Sequence, residues 1–118
     1  MMEGEILVGE SPPLHIHHRE DEYFHVLQGE LEFQVGKKKI LASAGTWIFA
    51  PRYIEHTFRN VNSPGARLEY VFQPAGIENY FEEVSKVIVA QEPDWTDRAA
   101  VIANKYGIEL CGTPDWTG

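Results

Sequence analysis

Cysteine is nearly absent from this chain. Cys111 stands alone among 118 residues, so no intrachain disulfide can form and the fold must be held by its core. A chain of this length buries enough surface to do that unaided. Basic residues are also scarce: 10 Lys and Arg stand against 18 Asp and Glu, for a formal charge of −8. That balance repels a phosphate backbone and argues against nucleic acid as a partner. The one basic cluster, Lys37-Lys38-Lys39, reads as solvated hairpin charge. No apolar run approaches the ~18 residues that span a bilayer. The first nine residues carry Glu3 and Glu5 in place of a basic start and an apolar stretch, so neither a membrane span nor a signal peptide is expected. With the lone cysteine this fits a cytoplasmic protein. Several kinds of chemistry are missing as well: there is no glycine-rich phosphate loop, no serine nucleophile elbow and no cysteine pair.

What the chain does have is histidine and glutamate at regular spacing. The first half reads Gly9-x5-His15-x-His17-x4-Glu22-x6-Gly29, and the second reads Gly45-x5-Pro51-x4-His56-x3-Asn60. Side chains alternate along a strand, so His15 and His17, one residue apart, project the same way. Glu22 and His56, arriving from neighbouring strands, complete a shell of three nitrogens and one oxygen. Such a shell suits one divalent transition metal per chain: Fe, Mn, Ni, Co, Cu or Zn. An ionised Glu22 buried among apolar neighbours needs a cation or donors beside it, and a metal provides the former. His18 neighbours His17 and points away in an extended segment, while His25 lies opposite Glu22 by parity.

Short strands cut by turns run from Leu14 to Gln73. Glu22, Phe24 and Val26 share one face of the first long strand, with Tyr23, His25 and Leu27 on the other. Leu31, Phe33 and Val35 alternate with Glu32 and Gln34, and Gly36-Lys37 predicts a tight turn. Residues 46–50 are apolar on both faces, which predicts a strand buried between two layers and leaves the face of Trp47 and Phe49 open. His56, Phe58 and Asn60 share a face, as do Leu68, Tyr70 and Phe72. So many short strands argue for an all-β sandwich or small barrel. Phe24, Val26, Phe33, Phe58, Tyr70 and Phe72 are the candidate walls of a pocket, and walls of this kind favour an apolar or aromatic small molecule.

After Pro74 the period changes. Ile77, Tyr80 or Phe81, Val84 and Ile88 recur at helical spacing, Pro93 ends that segment, and Asp94 is a fair N-cap for a second helix with the stripe Trp95, Ala99, Ile102 and Tyr106. Gly107 suits the C′ position. The chain thus divides into a β core at 1–74 and a helical appendage at 75–118 of the same domain, the helices covering the barrel's outside or a partner subunit.

Both spacing patterns resemble the two signature motifs of the cupin superfamily, of single-domain type. The first is matched at every specified position; the second departs at Tyr53, where the pattern expects glycine. The run from Pro12 to Glu22 looks most like small bacterial cupins of the quercetin-dioxygenase-like group. The resemblance implies a double-stranded β-helix, or jelly roll, with the metal in its wider mouth, and homodimerisation. It further implies a metal-dependent dioxygenase acting on a small aromatic or enolic substrate, with Glu22 as ligand or base. Tyr53 is a second candidate catalytic residue if its phenol narrows the mouth. The alternatives are a non-oxidative isomerase, lyase or decarboxylase, in which Glu22 or Tyr53 moves a proton, and a non-enzymatic small-molecule or metal-binding module.

Overall fold

The computed structural model describes residues 2–117. Two antiparallel sheets face one another. One has the order β1-β8-β3-β6 and the other β5-β4-β7-β2-β9. The strands are β1 (Met2–Glu5), β2 (His15–His17), β3 (Asp21–Gln28), β4 (Glu30–Val35), β5 (Lys38–Ser43), β6 (Trp47–Ala50), β7 (His56–Arg59), β8 (Arg67–Gln73) and β9 (Ile108–Leu110). Helices α1 (Glu78–Ala90) and α2 (Trp95–Lys105) lie between β8 and β9. This is the jelly-roll sandwich with C-terminal helices that the strand pattern and the resemblance predict.

The alternation of β3 sets the core. Glu22, Phe24 and Val26 are buried while Tyr23, His25 and Leu27 are only partly covered. Phe24 and Val26 pack with Leu31 and Phe33 of β4, Phe58 of β7 and Leu68 of β8, closing a cluster contributed by both sheets. Gly29 makes the β3–β4 turn possible. Its φ is +80°, and a Cβ there would meet Ser63 Oγ at 2.6 Å and the Ala66 backbone at 3.0 Å. Asn60, 1% exposed, locks the adjoining loop: its Nδ2 donates to the carbonyls of Ile6 (2.8 Å) and Ser63 (2.9 Å), and its Oδ1 accepts from the Ser63 amide at 2.8 Å.

Three expectations need correcting. Residues 46–50 do not lie between two layers. β6 is the edge of its sheet, and Trp47 and Phe49 are 55% and 49% exposed on its outer face. Their apolarity is spent on cross-strand stacking: Trp47 on His25 at 4.2 Å and Phe49 on Tyr23 at 4.8 Å. Asp94 occupies the N-cap position of α2, but its side chain makes no capping bond. And the segment after Pro74 is not helical throughout. Past Gly107 (φ +75°) the chain returns to the sheet as β9, which pairs with β2 in the register His15↔Leu110, Ile16↔Glu109, His17↔Ile108. Three residues carry too short a pattern for period alone to reveal.

The helices attach at one end of the sandwich. Ile77, Ala103 and Ile108 form a small second core on which Met2, Phe72, Tyr80 and Tyr106 pack. Glu83 ties the two helices together by accepting from Tyr106 Oη at 2.6 Å and Lys105 Nζ at 3.0 Å. No helix among the described residues is long and apolar enough to cross a membrane.

Candidate metal centre

The end of the sandwich beneath the helices holds the histidines. β2 pairs with β7 so that His15 faces His56 directly, and strand parity puts His17 on the same side as His15. Glu22 reaches them from the opposite sheet, where it sits between Phe72 of β8 and Ala50 of β6. The imidazole rings lie close together: 4.5 Å between centroids for His15 and His56, 5.0 Å for His15 and His17, and 5.3 Å for His17 and His56. One donor atom from each of His15, His17, Glu22 and His56 falls within 4.8 Å of the others, and His17, Glu22 and His56 are buried.

Their chemistry fits a divalent cation. His15 Nδ1 donates to the Pro13 carbonyl at 2.9 Å, which leaves the lone pair on Nε2. His56 Nδ1 faces the Ile54 carbonyl at 3.4 Å while its Nε2 meets Glu22 Oε1 at 2.8 Å; His17 Nε2 approaches the same oxygen at 3.4 Å. Burial, and the like charge of His56 after it, lowers the pKa of His15 to about 4, so near neutral pH it is the uncharged, coordinating form. Burial pushes the Glu22 carboxyl up, but the hydrogen bonds from His17 and His56 together outweigh it and hold the group below its ordinary value. The result is an ionised carboxylate and a neutral His15 grouped with two further imidazoles, a donor set that can hold a metal ion.

A cavity of about 560 Å³ opens onto this cluster. Of the six predicted wall residues, Phe24, Phe58, Tyr70 and Phe72 line it. Val26 and Phe33 do not. Both are 0% exposed and belong to the packed core deeper in the sandwich. They share faces with the wall residues but sit further from the mouth, and parity carries no information about depth. The opposite wall comes from Met2, from Tyr80 and Phe81 of α1, and from Ile108 and Leu110 of β9. The sequence marks Tyr80 and Phe81 as the apolar face of a helix, yet gives no sign of which surface that face covers. The Tyr70 hydroxyl is pushed up to about 12, mainly by burial with Glu10 and Glu22 adding, so the phenol stays protonated. Among the described residues no Lys or Arg lines the cavity.

Tyr53 is a correction. It is 62% exposed, is not among the lining residues, and its ring packs against His18 at 5.7 Å between centroids. Its φ is +71°, the conformation that the motif glycine takes without strain. The turn is pinned on both sides: the Tyr53 amide donates to the His17 carbonyl at 2.9 Å, and the Arg52 amide donates to Asp21 Oδ1 at 2.8 Å. The backbone therefore keeps the glycine geometry and the side chain is thrown outward. His18 and His25 are where parity puts them, outside: His18 faces Glu109 at 3.0 Å and His25 lies on Trp47. One carboxylate went unread. Glu20 is buried beside His17, with Oε1 3.7 Å from His17 Nδ1. An acidic residue three positions beyond a candidate ligand histidine is the only signal the sequence offers for it.

Comparison with known proteins agrees with this fold. A family profile described as a cupin domain matches residues 2–72. Among solved structures, the TT1209 protein from Thermus thermophilus is 30% identical, with a TM-score of 0.57, over 59% of this chain and 67% of that one. A predicted oxalate decarboxylase from Thermotoga maritima is 25% identical, with a TM-score of 0.55, over 59% of this chain and 61% of its own. KdgF from a Halomonas species is 23% identical, with a TM-score of 0.56, over 64% and 67%. About a third of each of these proteins thus lies outside the match. The sequence matches none of the curated proteins.

Proposed function

The chain belongs to the cupin domain family, and from that premise we propose that it is a metal-dependent dioxygenase acting on a small aromatic or enolic substrate. One observation carries the reading: an aromatic-walled cavity of about 560 Å³ meets a three-histidine, one-carboxylate cluster and offers no Lys or Arg among the described residues. Beyond the metal itself, sugar phosphates and dicarboxylates call for Lys or Arg to pair their remaining charge. A flat, weakly acidic enol or phenol needs only apolar walls, one or two polar contacts and a base.

His15, His17, Glu22 and His56 are the residues that would hold the metal. What a bound divalent ion supplies there is Lewis acidity and, for the redox-active ions, one-electron chemistry with O₂. The protein's own groups do the rest. Phe24, Phe58 and Phe72 sandwich the ring and exclude water. The protonated Tyr70 hydroxyl donates a hydrogen bond to a substrate oxygen and helps to orient it. Glu22 acts as the base: both histidine contacts fall on Oε1, and we assign the proton of the enol or phenol to Oε2.

The test is O₂ uptake by the Fe, Mn, Ni, Co and Cu forms with flavonols, catechols and 1,3-diketones. The expected result is substrate-dependent uptake that disappears in Glu22→Gln and His56→Ala. Absence of uptake from every metal form overturns the proposal. The likeness to the Thermotoga protein favours a second reading, a non-oxidative decarboxylase. Turnover without oxygen in the zinc form would select it.

A further inference from the structure

Two buried polar atoms beside the cluster face one another without hydrogen-bond partners among the described residues. They are His17 Nδ1 and Glu20 Oε1, 3.7 Å apart. An unsatisfied polar atom in a protein interior is unusual enough to ask what satisfies it. Two that point at each other are a donor and an acceptor a few tenths of an ångström beyond bonding distance. The neighbouring ligands show what such a contact does. His15 directs Nδ1 at the Pro13 carbonyl and His56 directs Nδ1 at the Ile54 carbonyl, so each presents Nε2 to the cluster. His17 is the third member of that set, and its Nδ1 faces a carboxylate in place of a carbonyl.

Resting on the metal-binding reading above, we propose that Glu20 is a positioning residue for the metal. It accepts the Nδ1 proton of His17, fixes the tautomer with Nε2 toward the ion, and makes His17 the most strongly donating of the three imidazoles. The carboxylate's negative charge raises the basicity of the ring more than a neutral carbonyl does. Glu20 lies in the short connection between β2 and β3, the strands that carry His15, His17 and Glu22.

A merely structural glutamate and a positioning one behave differently. Glu20 Oε1 makes no hydrogen bond that the fold would lose, so its removal should not weaken the protein once metal has been stripped. Only the metal-loaded protein uses the contact. The experiment compares wild type, Glu20→Gln, Glu20→Ala and His56→Ala, each titrated with Zn(II) or Co(II) against a chromophoric chelator. The zinc-loaded proteins are also examined by ¹H–¹⁵N spectroscopy of the histidine side chains, and the chelator-stripped proteins by urea unfolding. Glutamine keeps an acceptor oxygen but lacks the charge, and alanine lacks both. Affinity is therefore expected to fall from wild type to Glu20→Gln to Glu20→Ala, by roughly 10–100-fold at the last step of the series relative to wild type. The His17 Nδ1 proton signal of the zinc form should move upfield along the same series, while the unfolding midpoint of the stripped proteins stays level or rises. Equal affinities with an unmoved Nδ1 proton would overturn the assignment, as would a stripped-protein midpoint that falls in step with affinity. If wild type takes up neither ion, or His56→Ala binds as tightly as wild type, the metal reading itself fails and Glu20 falls with it.

Discussion

The two ends of the sandwich are built from the same strands and do opposite things. At the closed end Val26, Leu31, Phe33 and Leu68 are at most 1% exposed and pack from both sheets without a polar atom among their side chains. At the open end the same strand faces continue into Glu22, His56 and the aromatic wall, with four ionisable groups crowded together and two polar atoms beside them unsatisfied. β3 carries both on one face: Glu22 in the cluster, Phe24 in the wall, Val26 in the core. Each step of two residues along the strand is about 6–7 Å, enough to move from solvent-reachable chemistry to dry packing. Stability should therefore reside at one end and reactivity at the other.

The sharpest way to break that division is Phe33→Ala. Truncating this fully buried ring should cost about 3–5 kcal/mol in urea unfolding. The surviving folded protein should still bind one metal per chain in elemental analysis, and a loss of metal alongside stability would mean that the two ends are one unit. His56→Ala tests the other end. It removes the 2.8 Å contact to Glu22 Oε1 and should abolish metal retention, while its stability cost, on the order of 1–3 kcal/mol for a buried group left unsatisfied, stays below that of Phe33→Ala.

Acidification should act first at the open end, through His15. The His15 pKa is lowered to about 4 from 6.5, so the unfolded chain binds the extra proton first. In chelator-stripped protein, stability contributed by neutral His15 is complete above pH 6.5 and is lost as pH falls from 6.5 to 4. Glu22, held below its ordinary value, acts in the same direction at still lower pH: its contribution is present above the unfolded carboxyl's titration and lost as pH falls through the depressed folded one. Urea midpoints measured from pH 7 downward check this, and a flat profile between 6.5 and 4 would contradict the burial of His15 as the governing cause. The smallest effect is expected at Tyr53→Gly, which relieves a left-handed conformation and should stabilise by about 1 kcal/mol with metal content and turnover unchanged. Loss of turnover in that variant would return Tyr53 to the chemistry.

Spacing alone made the candidate metal cluster legible. His15 and His17 had to share a face because strand side chains alternate, Glu22 completed the first half of the pattern, and His56 came from the second. Parity likewise assigned Phe24, Phe58, Tyr70 and Phe72 inward and Tyr23 and His25 outward, and helical period marked α1 and α2. These are properties of a few residues along one element, so the sequence by itself determines them. What it could not reach are relations between elements. Val26 and Phe33 were misplaced because period two says which face and not how deep. Trp47 and Phe49 look like core until β6 proves to be an edge whose rings stack on β3. Tyr53 turns outward because its own amide and that of Arg52 donate to the His17 carbonyl on β2 and the Asp21 carboxylate on β3, which hold the turn. Tyr80, Phe81 and Ile108 line the cavity, and Glu20 meets His17, only once the chain beyond Pro74 has folded back over the mouth and the β2–β3 connection has brought a carboxylate beside the histidine. Local periodicity is fixed by covalent geometry, whereas depth, edges and closure depend on which surfaces remain to be buried once every other element is in place.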